Sequence, residues 1–130
     1  MSPGFTVLVV DDEPLVGRLV KTLLERVGLR AVTVRSAAEA LDHIHRGEEV
    51  GLVITDLQMP NIGGIELCEL LHQDFPAIPV IAMTGSSSTS ENEDLRKACA
   101  AGAKSAILKP FNLADFYDAV NQATWTRAYR

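Results

Sequence analysis

Short apolar runs alternate along the chain with longer segments in which apolar residues recur every three to four positions. The runs have the length of strands and fall at 5–10, 31–34, 52–54, 78–83 and 106–108. After the first of them, Val16, Leu19, Val20, Leu23, Leu24 and Val27 form one stripe of a helix, and Gly28 suits its C-terminal end. Ser36 followed by Glu39 makes a capping box ahead of Ala40, Leu41 and Ile44, predicting a second helix that ends near Gly47. Ile65, Leu67, Leu70 and Leu71 mark a third, which stops before Pro76. Ser90 with Glu93 repeats the capping pattern, and Glu91, Glu93 and Asp94 suit the positive end of a fourth helix running to about Gly102. Asn112 caps a fifth, whose apolar face is Leu113, Phe116, Tyr117 and Val120.

Strand and helix thus alternate five times, and the strands read as apolar throughout. That combination predicts a parallel sheet covered by helices on both faces, a doubly wound α/β fold. At 130 residues the chain suits a single domain, with a core of about 5–123 and short tails. The glycine- and serine-rich segment 85–90 reads as a long mobile loop. The tail after the last helix, with Trp125, Tyr129 and Arg130, is too short for an output domain.

Composition narrows the function classes. A hydrophobic share of 47% and a charged share of 22% are those of a soluble globular chain, and no apolar run is long enough to cross a bilayer. Residues 1–4 carry no basic segment of the secretory kind, so a cytoplasmic location is expected. The net charge of −5 opposes direct binding to nucleic acid or anionic lipid. Cys68 and Cys99 lie far apart in sequence without a C-x-x-C pattern, so they read as reduced, mostly buried thiols. His43 and His45 point different ways on one helix and His72 stands alone, which predicts solvated side chains and no histidine metal site.

In an open parallel sheet, ligands bind beyond the carboxyl ends of the strands. Here the first strand runs into Asp11, Asp12 and Glu13, the third ends at Asp56, the fourth at Thr84 and the fifth at Lys109. Each residue alone has an ordinary explanation as a strand end or helix cap. Together they make an all-oxygen acidic site whose mutual repulsion calls for a hard divalent cation, Mg²⁺. The turn Val10-Asp11-Asp12-Glu13-Pro14 has no glycine to bring backbone amides to a phosphate, so neither a dinucleotide fingerprint nor a P-loop is present. A metal, an ammonium and a hydroxyl would instead stabilise a transferring phosphoryl group, with the Asp56 carboxylate as nucleophile. Met59 and Phe111 read as packing residues beside the site.

Four stretches, Val7-Leu8-Val9-Val10-Asp11-Asp12, Ile54-Thr55-Asp56-Leu57-Gln58-Met59-Pro60 with Gly64 beyond, Met83-Thr84-Gly85 and Leu108-Lys109-Pro110-Phe111, resemble the receiver domains of two-component response regulators. The resemblance covers nearly the whole chain, with the motifs in order. It implies a flavodoxin-like (βα)5 fold with strand order 2-1-3-4-5 and a phosphorylation switch that is not a metabolic enzyme. Asp56 would be the phosphoacceptor; Asp11, Asp12, Asp56 and the Gln58 carbonyl would hold Mg²⁺; Thr84 and Lys109 would bind phosphoryl oxygens. The implied donor is a phosphohistidine on a sensor histidine kinase or a histidine phosphotransfer protein. An unknown downstream protein partner would meet the face made by the fourth helix, fifth strand and fifth helix.

Two rivals are open to the sequence. An aspartyl-phosphate phosphohydrolase would carry a second Asp two residues past the nucleophile, where this chain has Gln58. A receiver-like adaptor without the chemistry would not need Asp11, Asp12, Asp56, Thr84 and Lys109 together. Three further expectations follow from the resemblance. The Lys109–Pro110 bond is cis; Gln58 and Ser86 govern the lifetime of the phosphate; and Ala106, standing where the family usually has an aromatic ring, leaves segment 85–90 to carry the signal.

Overall fold

The computed structural model describes residues 6–59, 62–85, 91–109 and 111–128. Strand and helix alternate as β1 (Thr6–Val10), α1 (Pro14–Arg26), β2 (Arg30–Val34), α2 (Ala37–His45), β3 (Val50–Asp56), α3 (Gly64–Asp74), β4 (Val80–Gly85), α4 (Glu91–Ala100), β5 (Ser105–Lys109) and α5 (Leu113–Ala128). All pairings are parallel and the strand order is β2-β1-β3-β4-β5. The winding reverses between β1 and β3. Their ends lie side by side there, with Val10 paired to Thr55, and the rows continue through Asp56 to Met83 and Gly85 to Lys109.

Side chains alternate across the sheet and build one core on each face. Val7 and Val9 pack with α1 and α5 residues such as Val20, Leu24, Phe116 and Val120. Leu8 and Val10 pack with Ala40, Leu67, Leu71 and Ala98 on the other face. Every residue of β3 is buried, and each fully buried Leu or Val contributes about 1.5–3 kcal/mol relative to exposure. The outer strand β2 differs from the expected all-apolar pattern, since Arg30 and Thr33 face solvent and only Ala31 and Val34 are buried. An edge strand has a neighbour on one side only, so residues on both of its faces reach solvent, while Ala31 and Val34 are each buried in a different core.

Helix ends follow local chemistry. The Glu39 N–H donates to Ser36 Oγ at 3.1 Å and the Asp115 N–H to Asn112 Oδ1 at 2.8 Å, as the caps of α2 and α5 require. Gly28 and Gly47 close α1 and α2 with φ of 83° and 82°. The expected stripe of α1 is wider than the surface it covers. Val20, Leu23 and Leu24 are buried, but Leu19 and Val27 are half exposed. Leu113 is likewise exposed, leaving Phe116 and Val120 to anchor α5. Among the described side chains of α4, Ala98 alone is buried.

The thiols divide: Cys68 is buried on α3, whereas Cys99 is exposed on α4, correcting the expectation that both are mostly buried. His43 is not simply solvated, since it pairs with Glu48; His45 meets the edge of Phe75. Met59 and Phe111 pack against the two cores as expected, Phe111 stacking on Phe116. Among the described residues no helix is long and apolar enough to cross a membrane. Phe5, the Ser90 cap, segment 86–90 including Ser86, the Lys109–Pro110 bond, Tyr129 and Arg130 lie outside the described residues.

Candidate functional site

The acidic residues gather because the reversal of winding brings the ends of β1 and β3 together. Asp11 follows β1 directly. Its N–H continues the sheet by donating to Val34 O at 3.1 Å, while its Oδ1 accepts from the Glu13 N–H at 2.9 Å, so the carboxylate is held in the turn. Asp12 beside it is half-buried. Asp56 ends β3 with 3% of its surface exposed. The Leu57 N–H donates to Met83 O at 2.9 Å, the Gln58 N–H donates to Asp56 Oδ1 at 3.2 Å, and the buried Thr55 hydroxyl donates to the Asp56 carbonyl at 3.0 Å. Backbone and side chain of Asp56 are therefore both fixed.

Lys109 reaches in from the end of β5. Its Nζ lies 3.4 Å from Asp11 Oδ2 and 3.5 Å from Asp56 Oδ2. Thr84 is buried at the end of β4, its hydroxyl 3.5 Å from the Gly85 carbonyl, a weak contact that leaves it able to turn toward another acceptor. Gln58 is exposed, yet its side chain stretches toward the end of β4: a Cβ added at Gly85 would lie 3.2 Å from Gln58 Oε1.

Three carboxylates face one ammonium, so the charge is unbalanced. One oxygen from each of Asp11, Asp12 and Asp56 lies within 4.8 Å of the others. Burial is the main cause that holds the Asp56 carboxyl above its ordinary value of 3.8, with the Gln58 N–H and Lys109 opposing the rise and Asp11 adding to it. A cation here would relieve both the repulsion and the cost of burial. The donor set, carboxylate oxygens gathered within 4.8 Å of one another, suits Mg²⁺, a hard ion that takes oxygen ligands and keeps water in its remaining positions.

The structure thus brings Asp11, Asp12, Asp56 and Lys109 together and sets Thr84 at the neighbouring strand end. Two residues of the motif quoted for the resemblance, Thr55 and Gly64, were given no role of their own by sequence reasoning. The Thr55 hydroxyl holds the peptide of Asp56, and the polar residue inside an otherwise apolar strand was the signal. Gly64 lets α3 begin against β3, its N–H donating to Leu57 O at 3.2 Å where a Cβ would lie 2.2 Å from Asp56 O.

The chain matches the family model of the response regulator receiver domain over residues 7–121. It is 31% identical over 117 residues to the polar-differentiation response regulator DivK of Brucella ovis, covering 88% of this chain and 92% of DivK. It is also 33% identical over 108 residues to the heme response regulator HssR of Staphylococcus saprophyticus; that match covers 83% of this chain and spans 46% of HssR, about half its length. A CheY-like receiver domain protein from Methanospirillum hungatei superposes with a TM-score of 0.86 at 28% identity, covering 98% of both chains. A receiver domain protein from Clostridium thermocellum gives a TM-score of 0.85 at 28% identity, covering 95% of this chain and 97% of that one.

Proposed function

The chain belongs to the response regulator receiver domain family of two-component signalling, and from that membership we propose that residues 1–130 form one cytoplasmic switch unit that accepts a phosphoryl group on Asp56. The observation that carries the reading is the buried Asp56 carboxylate facing Lys109 Nζ at 3.5 Å, with Asp11 and Asp12 beside it. Receiver domains are signalling switches, and in this one the chemistry serves only its own modification.

An Asp56 oxygen attacks phosphorus, the bond from phosphorus to the donor imidazole nitrogen breaks, and the imidazole leaves with its electron pair to take up a proton. Held by Asp11, Asp12, Asp56 and the Gln58 carbonyl, Mg²⁺ would offset charge on the phosphoryl oxygens. Lys109 supplies the second positive charge, moving from Asp11 and Asp56 to a phosphoryl oxygen. Thr84 turns its hydroxyl from the weak Gly85 contact to donate to another. Phosphohistidine on a sensor histidine kinase or phosphotransfer protein is the donor. The exposed Leu108 and Leu113 support a downstream protein partner on the face of α4, β5 and α5. Intact mass after incubation with acetyl phosphate tests the reading: one phosphoryl group is added with Mg²⁺ and none with a chelator, and equal labelling in both would overturn the metal requirement.

Slow loss of the phosphate follows from what surrounds it. Gln58 lacks a carboxylate to activate water, and its side chain spans toward Gly85, across one approach to the site. Gln58→Ala is expected to shorten the phosphate lifetime severalfold at unchanged labelling. A lifetime equal to that of the wild type would remove Gln58 from this role.

A further inference from the structure

Two thiols outside the acidic site lie on helices that pack side by side, Cys68 on α3 and Cys99 on α4. The helices follow neighbouring parallel strands, run in the same direction and share one core, to which Cys68, Leu71, Ala98 and Ala101 all belong. They approach closely where α4 ends, at Gly102 with φ of 112°: a Cβ there would lie 2.7 Å from His72 Cβ. One turn earlier, about 5.4 Å along each axis, α3 carries Cys68 and α4 carries Ala98 and Cys99. Cys68 and Ala98 fill the buried side of this seam, and Cys99 opens it to solvent.

From this juxtaposition we propose that Cys68 and Cys99 are a redox pair that closes into a reversible disulfide, linking α3 to α4, when the protein meets a hydroperoxide. Charge on Cys99 is felt at Cys68: burial first, then Cys99, push the Cys68 thiol up to about 12. This sets the order of events, since the thiolate is the reactive form and only Cys99 is exposed. The Cys99 thiolate attacks the peroxide O–O bond, giving a sulfenic acid and an alcohol or water. Cys68 then attacks that sulfur; the S–S bond forms, the S–O bond breaks, and the departing hydroxide takes the Cys68 proton as water. Two thiols lose two electrons and one peroxide gains them. Ala98 is buried where α4 meets α3, and the bond would add a covalent tie between the two helices there.

The test is non-reducing peptide mapping and intact mass after treatment with hydrogen peroxide. Loss of two hydrogens, a Cys68–Cys99 linked peptide and reversal by dithiothreitol are expected. Cys68→Ser should gain oxygen at Cys99 without a cross-link, and Cys99→Ser should keep its mass. Cys68→Ala repeats the first variant should a buried serine hydroxyl prevent folding. Oxygen added at Cys99 in the wild type while Cys68 stays alkylatable after denaturation, or a dimer bridged through two Cys99 residues, would overturn the proposal. No phosphodonor enters the measurement, so its failure is distinct from a failure of phosphorylation at Asp56.

Discussion

Asp56→Asn is expected to abolish phosphoryl incorporation and at the same time to stabilise the metal-free protein near neutral pH. The first effect follows because an amide is not a nucleophile toward phosphorus. The second follows from burial. The folded protein holds the Asp56 proton above the ordinary value of 3.8, so its carboxyl favours folding fully only below that pH, and the contribution is lost as pH rises through the folded value. Near neutrality the ionised group is therefore a burden that the neutral amide removes. Thermal unfolding without Mg²⁺ should show the variant above the wild type near pH 7 and level with it below about pH 3.8. Added Mg²⁺ should narrow the gap, since an ion that binds only the folded wild type stabilises it by about 1.4 kcal/mol at ten times its Kd. Two results would count against this account: phosphoryl gain surviving in the variant, which places the acceptor elsewhere, and a variant less stable than the wild type near neutrality without metal.

The parts of this molecule that were legible in the sequence are those set by local periodicity and by the ends of strands. The stripe Val20, Leu23, Leu24 announces α1, and the caps Ser36 and Asn112 do what their positions promise. Asp11, Asp56, Thr84 and Lys109 could be placed at one edge because a parallel sheet aligns all its carboxyl ends on that edge. What escaped depends on how much surface a neighbour covers. Leu19, Val27 and Leu113 continue apolar patterns past the point where the sheet and opposing helix stop. Arg30 and Thr33 are exposed because β2 is an edge. That the helices carrying Cys68 and Cys99 lie side by side on one face of the sheet is something spacing alone does not reveal.

The motif carried Gly64 without its physical reason, which is the tightest approach among the described glycines, and Gly64→Ala is expected to expose it. Gly64 opens α3 without a positive φ, so conformational freedom is not the reason for glycine there. Space is. An added Cβ would stand 2.2 Å from Asp56 O, 2.6 Å from Leu57 Cα and 2.9 Å from Asp56 C. All three are backbone atoms, so no rotamer change relieves the overlap; either α3 shifts away from the sheet or the end of β3 moves. The cost is expected to reach about 3 kcal/mol or more, at the upper end for overpacking a buried site. Because the atoms displaced belong to the phosphoacceptor and its neighbour, the surviving folded fraction should also label more slowly with acetyl phosphate. Gly17→Ala is the control. It sits inside α1, where a Cβ would make ordinary contact with Thr33 Cγ2 at 3.7 Å, and there alanine should gain about 0.5–1 kcal/mol over glycine. Urea unfolding of both variants therefore has opposite expected signs, and a Gly64→Ala protein as stable and as readily phosphorylated as the wild type would show that the contact between α3 and β3 yields freely.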